Sequence, residues 1–154
     1  MHPRHTPTAA ENLRQSSHNL VMSELETLAI IDRLYTTFLL GDLEAALDLV
    51  SDDTLWIVYG PAELPFAGEF SGPSGVKRFL EALVTTQREV KVEITDRIVQ
   101  GNKALFAGVY SAIITATGKT LSVSFAHIWT VENGKISKLV DFFDTAAVHA
   151  AYCV

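Results

Sequence analysis

His127 and Asp141 are the two side chains in this sequence whose type and placement suit proton-transfer chemistry. They stand in SFAHIWTVENGKISKLVDFFD, residues 124–144, where two apolar runs flank a Glu-Asn-Gly turn and each run carries one titratable group. An imidazole and a carboxylate facing one interior would make a pocket with a polar floor and greasy walls, the general form of a small-molecule site. Successive side chains of a strand point to opposite faces. One face of residues 121–131 therefore reads Leu121, Val123, Phe125, His127, Trp129, Val131, the composition of a surface that meets a core. Beyond the turn, the face Ser137, Leu139, Asp141, Phe143 competes with Ile136, Lys138, Val140, Phe142 for the interior. Burying Lys138 unpaired is the costlier choice, so Asp141 is expected inward. A lone histidine on an apolar strand is more often a satisfied core residue, and an aspartate there more often the partner of a surface lysine. Two such groups facing one interior weigh more, because a buried carboxylate is expensive. The pattern leaves the hairpin register open, and with it whether the two groups touch.

These strands need a frame. Ser23-x-x-Glu26 has the form of a capping box, after which Leu28, Ile31, Leu34 or Tyr35, and Phe38 recur at helical spacing. Gly41 ends that helix, and Asp42 can cap a short second one bearing Leu43, Ala46, Leu47 and Val50. TLWIVYG, residues 54–60, reads as a strand, followed by the loop PAELPFAGEFSG. A third helix starts at Pro73-Ser74 and carries Val76, Phe79, Leu80 and Leu83 inward. The rest is strand: 90–94, 104–114 with a bulge or bend at Gly108, 121–131, and the run after Asn133-Gly134, the strongest hairpin signal in the chain. The fold class is α+β, a curved antiparallel sheet wrapped around N-terminal helices. Residues 1–22, with His2, His5 and His18, are expected to form a flexible N-terminal arm without metal ligands, and residues 23–154 a single domain.

Composition narrows the classes. Twelve basic against eighteen acidic residues, a formal charge of −6, is the wrong sign for phosphate, and no basic cluster exists, so no nucleic-acid partner is expected. No apolar run reaches the roughly 18 residues of a membrane span, and the N-terminus lacks the apolar stretch of a secretory signal; a cytoplasmic protein without a membrane partner is expected. One cysteine, Cys153, permits no internal disulfide. GPSG at 72–75 is neither a phosphate loop nor a nucleophile elbow. Neither a metal nor a cofactor is expected.

Three stretches carry a resemblance: LLGDLEAALDLVSDD with the strand around Trp56, GPAELPFAGEFSGPSGVKRFLEAL, and HIWTVENGKISKLVDFFDT. In this order they resemble the NTF2-like superfamily, and within it the SnoaL-like polyketide cyclases and ketosteroid isomerase-like proteins, over roughly residues 24–150. The resemblance implies a conical α+β barrel with a deep apolar cavity and, in many members, a homodimer through the convex sheet face, here Ser122, Ser124, Ala126, Ile128 and Thr130. In the cyclases a histidine on the penultimate strand and an aspartate on the last face the cavity, and the aspartate is the acid/base of an aldol closure. His127 and Asp141 match those positions. The isomerases' base aspartate on the first strand has no counterpart near Ile57 and Val58, and their oxyanion tyrosine aligns nearest to Leu34, one residue from Tyr35. Asp144 is expected to cap a helix over TAAVHAAY.

The expectation is therefore a small-molecule enzyme performing acid/base proton transfer next to a carbonyl, as cyclase or isomerase. Asp141 would be general base and acid, His127 its orienter or an enolate donor, and Trp56, Trp129, Tyr35 and Phe38 the walls that bind an apolar carbonyl compound. A non-catalytic carrier of apolar ligands and a dimerisation module with a filled core are the alternatives. Epoxide hydrolysis is a weaker variant.

Overall fold

The computed structural model describes residues 6–154; the part of the expected arm that holds His2 and His5 lies outside them. Helix α1 (Ala9–Leu39) begins earlier than the sequence pattern suggests. Thr8 accepts the Glu11 N–H at 3.2 Å, and Glu11 in turn accepts the Thr8 N–H at 2.6 Å, so the reciprocal cap forms there and not at Ser23-x-x-Glu26. Residues 9–22 contain neither Gly nor Pro, so nothing stops a helix propagating through them although every one of those side chains is exposed. His18 lies on this exposed stretch, correcting the expectation of irregular chain before Ser23. Contact with the body begins one turn later. Glu24 accepts the Gly101 N–H at 3.0 Å, and Thr27 donates to the Gly101 carbonyl at 3.1 Å.

Gly41, at φ +75°, supplies the left-handed residue that ends α1. Asp42 then caps α2 (Leu43–Leu47) through the Ala45 N–H at 3.1 Å. Strand β1 (Val50–Val58) follows, starting four residues before the expected run and taking Val50 from the predicted helix. The Pro/Gly loop hides a short strand, β2 (Gly68–Ser71), that the sequence reading missed. Helix α3 (Gly72–Thr86) buries Val76, Phe79, Leu80 and Leu83 as predicted, each side chain contributing about 1.5–3 kcal/mol. Strands β3 (Gln87–Gln100), β4 (Lys103–Ile114), β5 (Thr120–Glu132) and β6 (Lys135–Phe143) complete the sheet, and α4 (Thr145–Tyr152) closes the chain. Asp144 accepts the Ala147 N–H at 3.0 Å, the helix cap expected of it.

The six strands form one sheet in the order β2-β1-β6-β5-β4-β3. Its pairs are antiparallel, as expected of the curved sheet, except β1 with β6, which run parallel. The sheet bends around α1 and α3. At Gly108 an added Cβ would lie 1.8 Å from the Glu93 carbonyl oxygen, beside a register shift that leaves Thr95 as an extra residue on β3. Only glycine admits that approach, and the bulge curls the sheet over the helices.

Asn133 and Gly134, at φ +50° and +74°, make the two-residue turn joining β5 to β6. A second bulge follows. Thr130 pairs with Lys138 but Val131 with Ile136, so Ser137 is the extra residue and the alternation changes phase there. Ile136, assigned by simple alternation to the Lys138 face, is therefore fully buried. Past the bulge, Leu139 and Asp141 face inward and Lys138 outward, as expected. On the convex side Ile98, Ile128 and Phe142 are exposed.

Candidate active site

The hairpin register decides the central question. His127 pairs directly with Asp141 across β5 and β6, and both point to the concave side. His127 Nε2 lies 3.1 Å from Asp141 Oδ1. The contact is close but angled, and Oδ1 receives no aligned hydrogen bond. Asp141 is only 8% exposed. Its Oδ1 keeps lone pairs open to accept a proton.

Helix α1 supplies the other side of the imidazole. Tyr35 Oη lies 2.5 Å from His127 Nδ1, and its ring stacks on the imidazole with centroids 5.8 Å apart. Trp129 Nε1 donates to the same Tyr35 oxygen at 3.1 Å. An indole N–H can only donate, so Tyr35 accepts from Trp129; toward a neutral His127 with Nδ1 unprotonated, Tyr35 donates its own proton to that nitrogen. The remaining imidazole hydrogen of a neutral His127 then sits on Nε2, toward Asp141. Donor direction thus runs Trp129, Tyr35, His127, with the Nε2–H on the side of Asp141 but not aligned on it. Burial, with Asp141 and Asp32 adding, raises the Tyr35 phenol well above its ordinary value against the lowering effect of the Trp129 bond. Tyr35 stays a donor.

These four residues sit at one side of an apolar cavity of about 100 Å³, several times the roughly 10–15 Å³ that one water requires. All six residues singled out in the sequence, His127, Asp141, Trp56, Trp129, Tyr35 and Phe38, line it. Trp56 meets Trp129 edge-on at 5.6 Å and Phe79 at 5.4 Å. Its indole N–H has no hydrogen-bond partner among the described residues.

Sequence reasoning missed a second polar group on the same cavity. Gln87 and Tyr110 both line it. Tyr110 donates to Gln87 Oε1, Gln87 Nε2 donates to Tyr152 Oη at 2.8 Å, and Tyr152 lies 2.7 Å from Thr86 Oγ1. Thr86 in turn donates to the Ala82 carbonyl at 2.6 Å. Alternation from Phe106 through Gly108 would have placed Tyr110 inward. Gln87, at the junction of α3 and β3, carried no periodic signal. Burial, with Tyr152 and Asp141 adding, raises the Tyr110 phenol.

Among the described residues no three His, Cys, Asp or Glu side chains are grouped closely enough to hold a metal ion. Cys153 is exposed at the C-terminal end, near His149 of α4. No described helix is long and apolar enough to cross a membrane.

Known proteins place this architecture. An NTF2-like protein of unknown function from Burkholderia pseudomallei superposes with a TM-score of 0.78 at 22% identity, covering 84% of this chain and 98% of that one. TerC, co-crystallized with polyporic acid, gives a TM-score of 0.74 at 26% identity, with 82% and 97% covered. A protein of ketosteroid isomerase-like fold from Catenulispora acidiphila, in complex with trimethylamine, gives 0.69 at 16% identity, with 79% and 90% covered. No curated protein matches the sequence. The SnoaL-like domain family matches residues 31–139, from the buried Ile31 of α1 to the strand that carries Asp141. With that match spanning most of the chain, and with the NTF2-like curved sheet beneath it, the protein belongs to the SnoaL-like domain family.

Proposed function

We propose that this protein is an enzyme acting on a small apolar carbonyl compound, with Asp141 as its proton-transferring group. The observation that carries the reading is the Asp141 carboxylate, buried beside an apolar cavity with Oδ1 lacking an aligned hydrogen bond. Asp141 takes a proton from the carbon next to the carbonyl. The C–H electron pair becomes the enolate double bond and the carbonyl pair moves onto oxygen. The enolate then either attacks a second carbonyl of the same molecule, closing a ring, or takes the proton back at another carbon. In both outcomes Asp141 returns the proton, so no cofactor is consumed.

His127 has two possible acceptors for its Nε2–H, the Asp141 carboxylate and the enolate oxygen. Its angled contact with Asp141 keeps that donor available to a negative oxygen that forms nearby. A neutral imidazole suits this role, since a fixed donor in a low-dielectric site stabilises developing charge without first reorganising. Trp56, Trp129, Tyr35 and Phe38 bury the hydrocarbon body of the substrate. The free volume supports this reading over a filled-core interaction module, and TerC, a protein of similar fold, was co-crystallized with an organic molecule, polyporic acid.

The test uses 2-tetralone, a ketone with acidic α-hydrogens, in deuterated buffer. Wild-type protein should accelerate α-hydrogen exchange, read by proton NMR. Asp141→Asn should lose about 10²–10⁴-fold of that acceleration while keeping affinity, read as quenching of Trp56 and Trp129 fluorescence. Equal exchange by wild type and variant would leave a carrier as the better reading.

A further inference from the structure

The second polar group of the cavity has a direction, and the direction has chemical content. The carbonyl of Ala82 can only accept, so Thr86 donates to it and must accept from Tyr152. Tyr152, having spent its proton on Thr86, accepts from Gln87 Nε2. The Gln87 amide is thereby oriented with Oε1 toward Tyr110, whose own proton is spent on that oxygen. Each bond polarises the next. Among the described residues no group donates to the Tyr110 oxygen at the head of the chain, and one of the two amide hydrogens of Gln87 is uncommitted.

This end is separate from Asp141. On β4, Phe106 pairs with His127, while Tyr110 lies four residues further on and pairs with Val123, a backbone separation of at most about 13 Å. Phe125, Leu121 and Val123 line the cavity as well, so the space between the two ends is apolar. A saturated hydrocarbon would leave the Tyr110 oxygen and the spare Gln87 hydrogen without partners in a dry cavity, which is unfavourable. A hydroxyl group satisfies both at once, because it donates and accepts through one atom.

We infer that Tyr110 and Gln87 form a hydroxyl-binding end of the cavity. The substrate class is then an apolar carbonyl compound that also carries a hydroxyl remote from its acidic C–H. The inference rests on the reading of Asp141 as the proton-transferring group. In the bound state the ligand O–H donates to Tyr110 Oη and its oxygen accepts from Gln87 Nε2. The carbonyl and its neighbouring carbon then lie at the Asp141 end. Tyr110 acts here as a specificity-determining residue and takes no part in the proton transfer.

The experiment compares 2-tetralone with 6-hydroxy-2-tetralone, the same ketone bearing one remote hydroxyl, by tryptophan quenching and by α-hydrogen exchange. Wild-type protein should bind the hydroxy ketone roughly fivefold to tenfold more tightly. Tyr110→Phe should erase that preference, whereas Asp141→Asn should keep the preference and lose exchange. The wild-type comparison needs no variant, so it stands even if Tyr110→Phe fails to fold. Asp141-dependent exchange with no wild-type preference, or a preference that survives Tyr110→Phe, overturns this inference and leaves the proposed function intact. Absence of both binding and exchange with either ketone overturns the two together.

Discussion

Tyr35 shows how one hydroxyl can set the chemistry of a neighbouring ring. It accepts from the donor-only Trp129 indole and can donate its own proton to His127 Nδ1, and in a neutral imidazole so engaged the ring hydrogen stands on Nε2, facing Asp141. Phenylalanine at this position keeps the stacking on His127 and Phe106 but removes the bond that selects the tautomer. Tyr35→Phe should convert the single His127 tautomer into a mixture, visible in the imidazole ¹⁵N shifts. Exchange of 2-tetralone should fall about tenfold to a hundredfold with little change in affinity, the loss expected when an orienting partner is removed while the reacting group stays. Unchanged ¹⁵N shifts would show that Tyr35 does not set the tautomer. The sequence marked Tyr35 as a wall residue only. Its bond to a histidine 92 positions away depends on how α1 lies across the sheet.

Among the elements, the paired strands β3 and β4 carry the curvature that curls the sheet over the helices. Gly108 stands where the Glu93 carbonyl comes closer than any side chain allows, next to the bulge at Thr95. Gly108→Ala must push β3 away or flatten the bend, at a cost of about 2–4 kcal/mol. Urea unfolding should show that loss, and ligand affinity should fall with it because Phe106 and Tyr110 flank the bend on the concave face. A variant of wild-type stability would mean that the bend does not need glycine. The bulge at Ser137 works on β6 in the same way. It reverses the alternation so that Ile136 and Leu139 are both buried although they stand three positions apart, a spacing that simple alternation puts on opposite faces.

Taken whole, the molecule hides two phenols that must remain protonated. Tyr35 and Tyr110 both have folded-state values raised above the ordinary tyrosine value of 10.0, chiefly by burial. Below about pH 10 neither form of the chain ionises them and their contribution is complete. As the pH rises further, the unfolded chain releases protons that the folded chain retains, so stability falls by about 1.4 kcal/mol per pH unit for each tyrosine. Urea midpoints measured between pH 9 and 11.5 should drop accordingly, and the slope should lessen in Tyr35→Phe. A flat profile would show that the two phenols ionise equally well in the folded protein.

Much of this was written in short-range pattern. Alternation alone turned His127 and Asp141 inward, because a two-residue period leaves a lysine or a carboxylate to choose between and water decides the choice. Caps at Asp42 and Asp144, the turn at Asn133-Gly134 and the bend at Gly108 follow from what those residues do to their own backbone. The start of α1 was not legible. Thr8 and Glu11 carry a cap as good as Ser23 and Glu26, and an exposed helix has no apolar stripe to announce it. The parallel β1–β6 pair, the Tyr35–His127 bond and the Gln87–Tyr110 chain were equally hidden, since each joins segments distant in sequence whose approach is set by global packing. Residue types along single strands thus established which groups face the interior. The tertiary structure alone decided which of them meet and which way each hydrogen bond runs, because both depend on register and helix placement that no local period encodes.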